Sequence, residues 1–313
     1  MLSDAEQLFA LPFRTIAHTA ASDPRVWIAS TGISWRSGSN TEARYALGHA
    51  ASGRRDDSEN VSRWECFERL LMNAEVTASR GRLVHGTFRD GRQATSRTFE
   101  TVVPRPWHVG GQRLFPTGAT GLAIHTCADT ARNNAVAEVL ERHVSESLWY
   151  GNLQEPANLL HSDDSSTSVW WPLGDGSVLA WHVAERLDEQ VFVVGSAVRS
   201  EIAEAVRHAQ EEATMLLDAV LSHRRPTYSS EAKTHRYASL RGSASGARRG
   251  HFQRLIAGSG RAGAVAEFAE MVSKHIVVYA LIEWPELVLV RGVPIGIGAP
   301  QPQRDGIPDH PFS

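Results

Sequence analysis

The pattern Glu-x-x-Glu-Arg occurs twice, as Glu65-Cys66-Phe67-Glu68-Arg69 and as Glu138-Val139-Leu140-Glu141-Arg142, each inside a stretch that reads as helix. Residues i and i+3 share a helix face, so each copy sets two carboxylates side by side with a guanidinium next to them. Like charges at that spacing repel and are costly unless a cation sits between them. Two such pairs facing each other would form a four-carboxylate cage. Hard oxygen ligands of that kind suit Mg²⁺, which commonly arrives with nucleotide phosphates. The alternative is a solvated helix face, because Glu and Arg are good helix formers in any setting.

The rest of the chain is ordinary enough to be bounded by exclusion. At 313 residues, with 42% hydrophobic and 21% charged side chains, it can bury a substantial core. A net charge of −3 supplies no basic field for nucleic acid. The longest apolar run, near Ile276 to Ile282, is of strand length, so no bilayer span is expected. Asp4 and Glu6 near the start replace the basic leader of a signal peptide. Cys66 and Cys127 give neither a disulfide framework nor zinc spacing, which fits a reducing cytoplasm.

Periodicity predicts three long helices, at 60–80, 129–149 and 201–222, with Asp129 placed to cap the second. Strands are expected at 25–30, 45–49, 83–89, 96–103, 121–125, 178–183, 190–197 and 275–282, with a final helix at 262–271. The polar run 162–168 reads as a loop. So does 224–250, a mobile basic segment with seven Arg or Lys against one Glu. Residues 1–25 read as an N-terminal extension and 292–313 as a Pro/Gly-rich tail. No break in composition requires two domains. The expected fold class is α/β, a mixed α+β sheet with flanking helices.

The second motif has a suggestive approach. Thr117-Gly118-Ala119-Thr120-Gly121-Leu122-Ala123-Ile124-His125-Thr126 is rich in small residues that let backbone N–H groups come close to a ligand. It is not a Walker A loop, and no Gly-x-Gly-x-x-Gly opens a dinucleotide unit. The ordinary nucleotide folds are thereby disfavoured.

The ordered set of motifs resembles the YcaO domain family. Ala119-Thr120-Gly121-Leu122-Ala123-Ile124-His125 before an Ala-rich Glu-x-x-Glu-Arg helix is similar to that family's Ser-Asn-Gly-Leu-Ala-Ala-Gly segment and following helix. Glu65, Glu68 and Arg69 match its earlier Glu-x-x-Glu-Arg. Ala205, Ala209, Glu212 and Ala213 resemble its Ala-Leu-x-Glu-Ala helix. Pro285 to Arg291 with Pro294 is similar to its closing strand, and Pro308-Asp309-His310-Pro311-Phe312 to its Pro-His-Pro-Phe-Pro ending. The matches run in order from about residue 30 to the C-terminus.

The resemblance implies a YcaO-type fold with the carboxylate helices meeting across a central cleft. It also implies an enzyme that uses ATP and Mg²⁺ to activate a peptide backbone amide. The products in ribosomal peptide maturation would be azolines, thioamides or amidines. Carried over residue by residue, Glu65, Glu68, Glu138 and Glu141 would be the catalytic metal ligands. Arg142 and Arg291 would contact phosphate, while Thr126, Asp129 and Arg69 would complete the nucleotide site. The implied partners are a precursor peptide and a separate leader-peptide-binding protein, with homodimerisation also expected. Several positions depart from the pattern: Thr120 stands for Asn, Thr126 for Asn, and His143 for the Asp after the second motif. These departures motivate the alternative of a non-catalytic YcaO-like protein that binds a precursor or partner enzyme. His125 and His143, flanking the second motif, are the histidines to test as general bases.

Overall fold

A computed structural model describes residues 11–36, 43–78, 82–102, 120–222, 240, 243–258, 260–298 and 300. β1 (Arg14–Thr19), β2 (Trp27–Arg36) and β3 (Ala43–Ser52) form an antiparallel sheet in that order. The chain then enters α1 (Arg55–Ala78). The short β4 (Leu83–Val84) pairs with β6 (Arg97–Thr98), with β5 (Gly86–Phe88) between them in sequence and the single turn α2 (Phe99–Val102) after them. β7 (Leu122–His125) leads directly into α3 (Ala128–Trp149).

β8 (Asn158–Ser162), β9 (Ser166–Pro172), β10 (Val178–Arg186) and β11 (Val191–Arg199) make a second antiparallel sheet in the order β11-β10-β9-β8. It is followed by α4 (Ile202–Ser222). After α5 (Ser243–Ile256) and α6 (Ala264–Lys274), β12 (Ile276–Trp284) and β13 (Leu287–Pro294) join earlier strands in a third sheet, β5-β12-β13-β7.

Strand periodicity sorts these sheets into layers. On β12, Val277, Tyr279 and Leu281 pack into one cluster with Cys66, Phe67, Leu70 and Leu71 of α1. Ile276 and Val278, of opposite parity, pack with Ala131, Ala135, Val139 and Val144 of α3. One sheet therefore lies between the two carboxylate-bearing helices. The same α3 cluster includes Trp171, Trp181, Phe192 and Val194 of the β8–β11 sheet, whose other face meets Ala205, Ala209, Ala213 and Leu217 of α4. The buried indoles keep their N–H groups paired. Trp181 donates to Ser145 Oγ at 2.9 Å, and Trp171 donates to the Glu155 carbonyl at 3.1 Å.

The α+β class holds, with its strands divided among several sheets whose described pairings are all antiparallel. The three long helices fall where periodicity puts them. Elsewhere the structure differs from the pattern. Residues 96–103, expected as one strand, divide into β6 and the helical turn α2. The 162–168 loop shrinks to a turn between β8 and β9, because Asp163 Oδ1 accepts the N–H groups of Ser165 and Ser166. β1 lies inside the expected N-terminal extension. The part of the expected basic loop from Ser243 onward is helical. Residues 224–239, 241 and 242 of that loop, Thr117 to Ala119, and Pro308 to Phe312 lie outside the described residues.

Candidate functional site

The first carboxylate on α1 is positioned from β3. The His49 N–H donates to Glu65 Oε2 at 2.6 Å, and the Arg69 guanidinium pairs with Glu65 Oε1 one helical turn on. This contact requires β3 to lie almost against the helix, and Gly48 makes that possible. A Cβ on Gly48 would sit 2.1 Å from the Ser62 carbonyl oxygen and 2.3 Å from the Cys66 nitrogen. Glu68, one turn further, is buried. Burial above all, then the charges of Glu138 and Glu65, push its carboxyl well above the usual range, against the opposing pull of Arg69 and Arg291. Among the described residues no hydrogen bond holds the Glu68 carboxylate. A buried anion of this kind is costly unless a cation or proton joins it.

On α3, Glu138 accepts the Gly121 N–H. Burial raises its carboxyl to about 7, while Arg291 and Arg142 pull the other way. Glu141 accepts the Ser196 hydroxyl at 2.7 Å. Its carboxyl is also raised, first by burial and then by Glu212 beside it. Glu138 and Glu141 each keep part of their surface open, so they are enclosed yet reachable from solvent. Arg291, on β13, is itself buried; the lost hydration lowers its pKa to about 10, with Glu138 and Glu68 holding it up. It remains a full cation at neutral pH and serves both helices. Arg142 is half-buried beside Glu138, Glu141 and Glu146.

Gly121 has a positive φ of 77°, and its carbonyl accepts the Gly292 N–H at 2.7 Å. A Cβ there would meet the Gly292 carbonyl oxygen at 2.4 Å. Only glycine fits both the turn and the approach of β13.

Thr126 and Asp129 are exposed at the start of α3, well before Glu138, Glu141 and Arg142 of the motif. Asp129 and Glu138 are nine positions apart on the helix, roughly 13 Å along the axis. Cys127, not Asp129, is the N-cap residue; Asp129 lies inside the first turn, where its charge suits the open amides. Those amides and the Thr130 hydroxyl hold the exposed Cys127 thiol below its usual range. His125 Nδ1 accepts the Cys127 N–H at 2.8 Å. His143 is buried, and desolvation lowers its pKa, so it is a neutral imidazole at pH 7.

The structure thus brings Glu65, Glu68, Glu138, Arg69, Arg142 and Arg291 into one electrostatic neighbourhood, with Glu141 joined through Glu138 and Glu212. As placed, no three His, Cys, Asp or Glu side chains among the described residues converge closely enough to hold an ion. Two members escape the Glu-x-x-Glu-Arg pattern: Ser196 and Glu212. The Ser196 N–H donates to Glu212 Oε2 at 2.7 Å, just as His49 serves Glu65, with donor and acceptor 16 positions apart in both cases. The signal that could have found them is an interval: Gly48 to Glu65, Gly121 to Glu138 and Gly195 to Glu212 are equally spaced.

No family model matches the sequence, and no curated protein matches it. Solved structures do. YcaO from Methanopyrus kandleri, bound with AMPPCP and Mg²⁺, is similar over 90% of this chain and 85% of its own, with a TM-score of 0.60 at 15% identity. A chain of the E. coli microcin synthetase McbBCD complex matches over 84% of this chain and 87% of its own, with a TM-score of 0.56 at 12% identity. A heterocyclase in complex with substrate and cofactor matches over 90% of this chain but 49% of its own, with a TM-score of 0.53 at 11% identity. The chain has the fold of the YcaO proteins. Among the described residues no helix is long and apolar enough to cross a membrane.

Proposed function

We propose that this chain is a YcaO-type enzyme that uses ATP and Mg²⁺ to activate a backbone amide of a ribosomally made precursor peptide. The observation that carries the reading is the pair of enclosed carboxylates Glu68 and Glu138 on two different helices beside the buried Arg291. Such a set is poor for stability and well suited to a divalent cation and a polyanion. The chemistry of the donors fits: hard carboxylate oxygens for Mg²⁺ and planar guanidiniums for phosphate.

In this reading Glu65 and Glu68 of α1 and Glu138 and Glu141 of α3 hold Mg²⁺ beside Arg291 of the sheet that lies between the two helices. The amides of His49 and Gly121 keep two of those carboxylates fixed before any ligand arrives. When bound, Mg²⁺ supplies charge neutralisation to the triphosphate. Arg142 and Arg291 grip phosphate oxygens, with Arg69 steadying Glu65 and Thr126 and Asp129 contacting the nucleotide or metal near the start of α3. The peptide's amide oxygen takes a phosphoryl group after a thiol, hydroxyl, sulfide or amine adds to its carbon. Phosphate then departs in place of oxide, a far poorer leaving group. The product is an azoline, a thioamide or an amidine. A separate protein that binds the leader peptide, and a homodimer, belong to the same proposal; the E. coli neighbour is itself part of a complex.

A non-catalytic precursor-binding role is the second reading, favoured by the lack of three converging carboxylates among the described residues. Calorimetric binding of a non-hydrolysable ATP analogue, with and without Mg²⁺, separates the two. The enzyme reading expects Mg²⁺-dependent binding that Glu138→Gln weakens at least about a hundredfold, the scale on which neutralising one enclosed ligand charge acts. No binding by well-folded wild type would leave the non-catalytic role.

A further inference from the structure

The three Gly-to-Glu intervals are the visible part of a repeated unit. β3, β7 and β11 end at Ser52, His125 and Arg199, and α1, α3 and α4 begin at Arg55, Ala128 and Ile202, keeping step with Gly48, Gly121 and Gly195. Buried alanines, Ala50, Ala123 and Ala197, follow each glycine at the same distance. Small residues, Ser62, Ala135 and Ala209, precede each glutamate likewise. In the third unit a Cβ on Gly195 would meet the Ala209 carbonyl oxygen at 2.1 Å and the Ala213 nitrogen at 2.5 Å, repeating the Gly48 contact. The unit therefore delivers a carboxylate at one fixed place on its helix, held by a strand amide.

The third unit differs in what stands beside that amide. Ser196 is buried, and it faces two ways. Its N–H donates to Glu212 on α4, and its hydroxyl donates to Glu141 on α3, each at 2.7 Å. At the same place in the other units stand His49, whose ring Nδ1 pairs with the Ser30 hydroxyl of β2, and Leu122, whose side chain carries no polar atom. We propose that Ser196 is a positioning residue of the nucleotide site. It is anchored to α4 through Glu212 and aims the Glu141 carboxylate through its hydroxyl, so that β11 fixes the second carboxylate of α3 as Gly121 fixes the first. This rests on the Mg²⁺–nucleotide reading above. It extends that reading by adding a hydroxyl contributed from a different sheet, which acts through Glu141 and touches no ligand itself.

The test compares wild type with Ser196→Ala, Ser196→Cys and Ser196→Thr, by calorimetry with the non-hydrolysable ATP analogue at several Mg²⁺ concentrations, alongside thermal unfolding. A hydrogen bond to a charged group is being removed, so Ser196→Ala should raise the Mg²⁺-dependent Kd about tenfold. It should also shift the Mg²⁺ concentration needed for half-maximal binding, while the weak Mg²⁺-free affinity stays put. Ser196→Cys, nearly isosteric with a poor donor, should behave like the alanine variant even if alanine compromises folding. Ser196→Thr, which restores the hydroxyl, should recover most of the affinity. Unchanged Mg²⁺ dependence in both donor-poor variants would overturn the positioning role while leaving the nucleotide reading intact. Failure of wild type to bind the analogue with Mg²⁺ would overturn both.

Discussion

β3–α1 and β11–α4 are built to one plan, and they diverge one turn after the shared glutamate. In both, a glycine lets the strand touch the helix, and the next amide along the strand holds a carboxylate, Glu65 in one and Glu212 in the other. Beyond that point α1 continues with Glu68 and Arg69, whereas α4 continues with Met215 and Leu216, the latter packed into an apolar cluster with Val191, Val193 and Leu217. The β7–α3 unit follows α1, with Glu141 and Arg142. The backbone plan is thus complete without the second glutamate and the arginine. Their presence on α1 and α3 alone points to a task other than folding, and the cost of keeping Glu68 buried argues the same way.

The shared part of the plan should be the most fragile. Gly48→Ala and Gly195→Ala each drive a methyl group into backbone atoms of the facing helix, which cannot step aside as a flexible side chain could. Each should cost about 3 kcal/mol or more of unfolding free energy in urea titrations, the upper range of overpacking. Gly53→Ala meets nothing within 4 Å and should change stability by about 0.5 kcal/mol or less. If Gly195→Ala were as mild as Gly53→Ala, the third unit would not share the plan.

The next difference is one of charge and should appear in pH dependence. In the unfolded chain Glu138 titrates near the ordinary value of about 4.3. Folded, it titrates at about 7. Across that window the folded form binds the extra proton, so stability falls as pH rises from about 4.3 and levels off above about 7. Glu68 and Glu141, also raised by burial, act in the same direction. With the partial exposure of Glu138 discounted, the drop should amount to about 2 kcal/mol between pH 5 and pH 7.5, measured in chelator. Glu138→Gln should flatten the curve. A wild-type profile that rises with pH over this range would contradict the assigned enclosure of these carboxylates.

The three units also explain what can be read from the sequence and what cannot. The long helices are legible because their apolar stripes bury against two sheets, and the four glutamates because their motif repeats. β8 is not, since every residue of it is exposed and no alternation marks it. β1 carries its large apolar residue, Ile16, on the exposed side. α5 begins in a Ser-, Gly- and Arg-rich run that composition assigns to a loop. Glu212 falls in a segment that resembles the family's, yet it suggests no role by itself, because no second glutamate follows three residues on, where Met215 stands. The amides of His49, Gly121 and Ser196 carry no side-chain signal at all. Their contribution depends on which strand edge faces which helix, and that is decided by packing.

The smallest expected effect is the most direct reading of the comparison. Glu68→Met writes the residue of the third unit into the first, at the position held by Met215 on α4. The substitution removes a buried carboxylate that no hydrogen bond holds among the described residues, and fills its volume with an apolar chain. Arg291 keeps Glu138 as a counter-charge, so the change does not strand a cation. Stability at pH 7 without Mg²⁺ should therefore rise by about 1 kcal/mol, as for other buried charges replaced by well-packed apolar groups. The Mg²⁺-dependent affinity for the ATP analogue should fall with it. A variant that lost both stability and binding would show that Glu68 is held for the fold, and that the divergence between the units is structural. A gain in stability with loss of binding would place the second glutamate of the motif on the side of function, kept against the preference of the core around it.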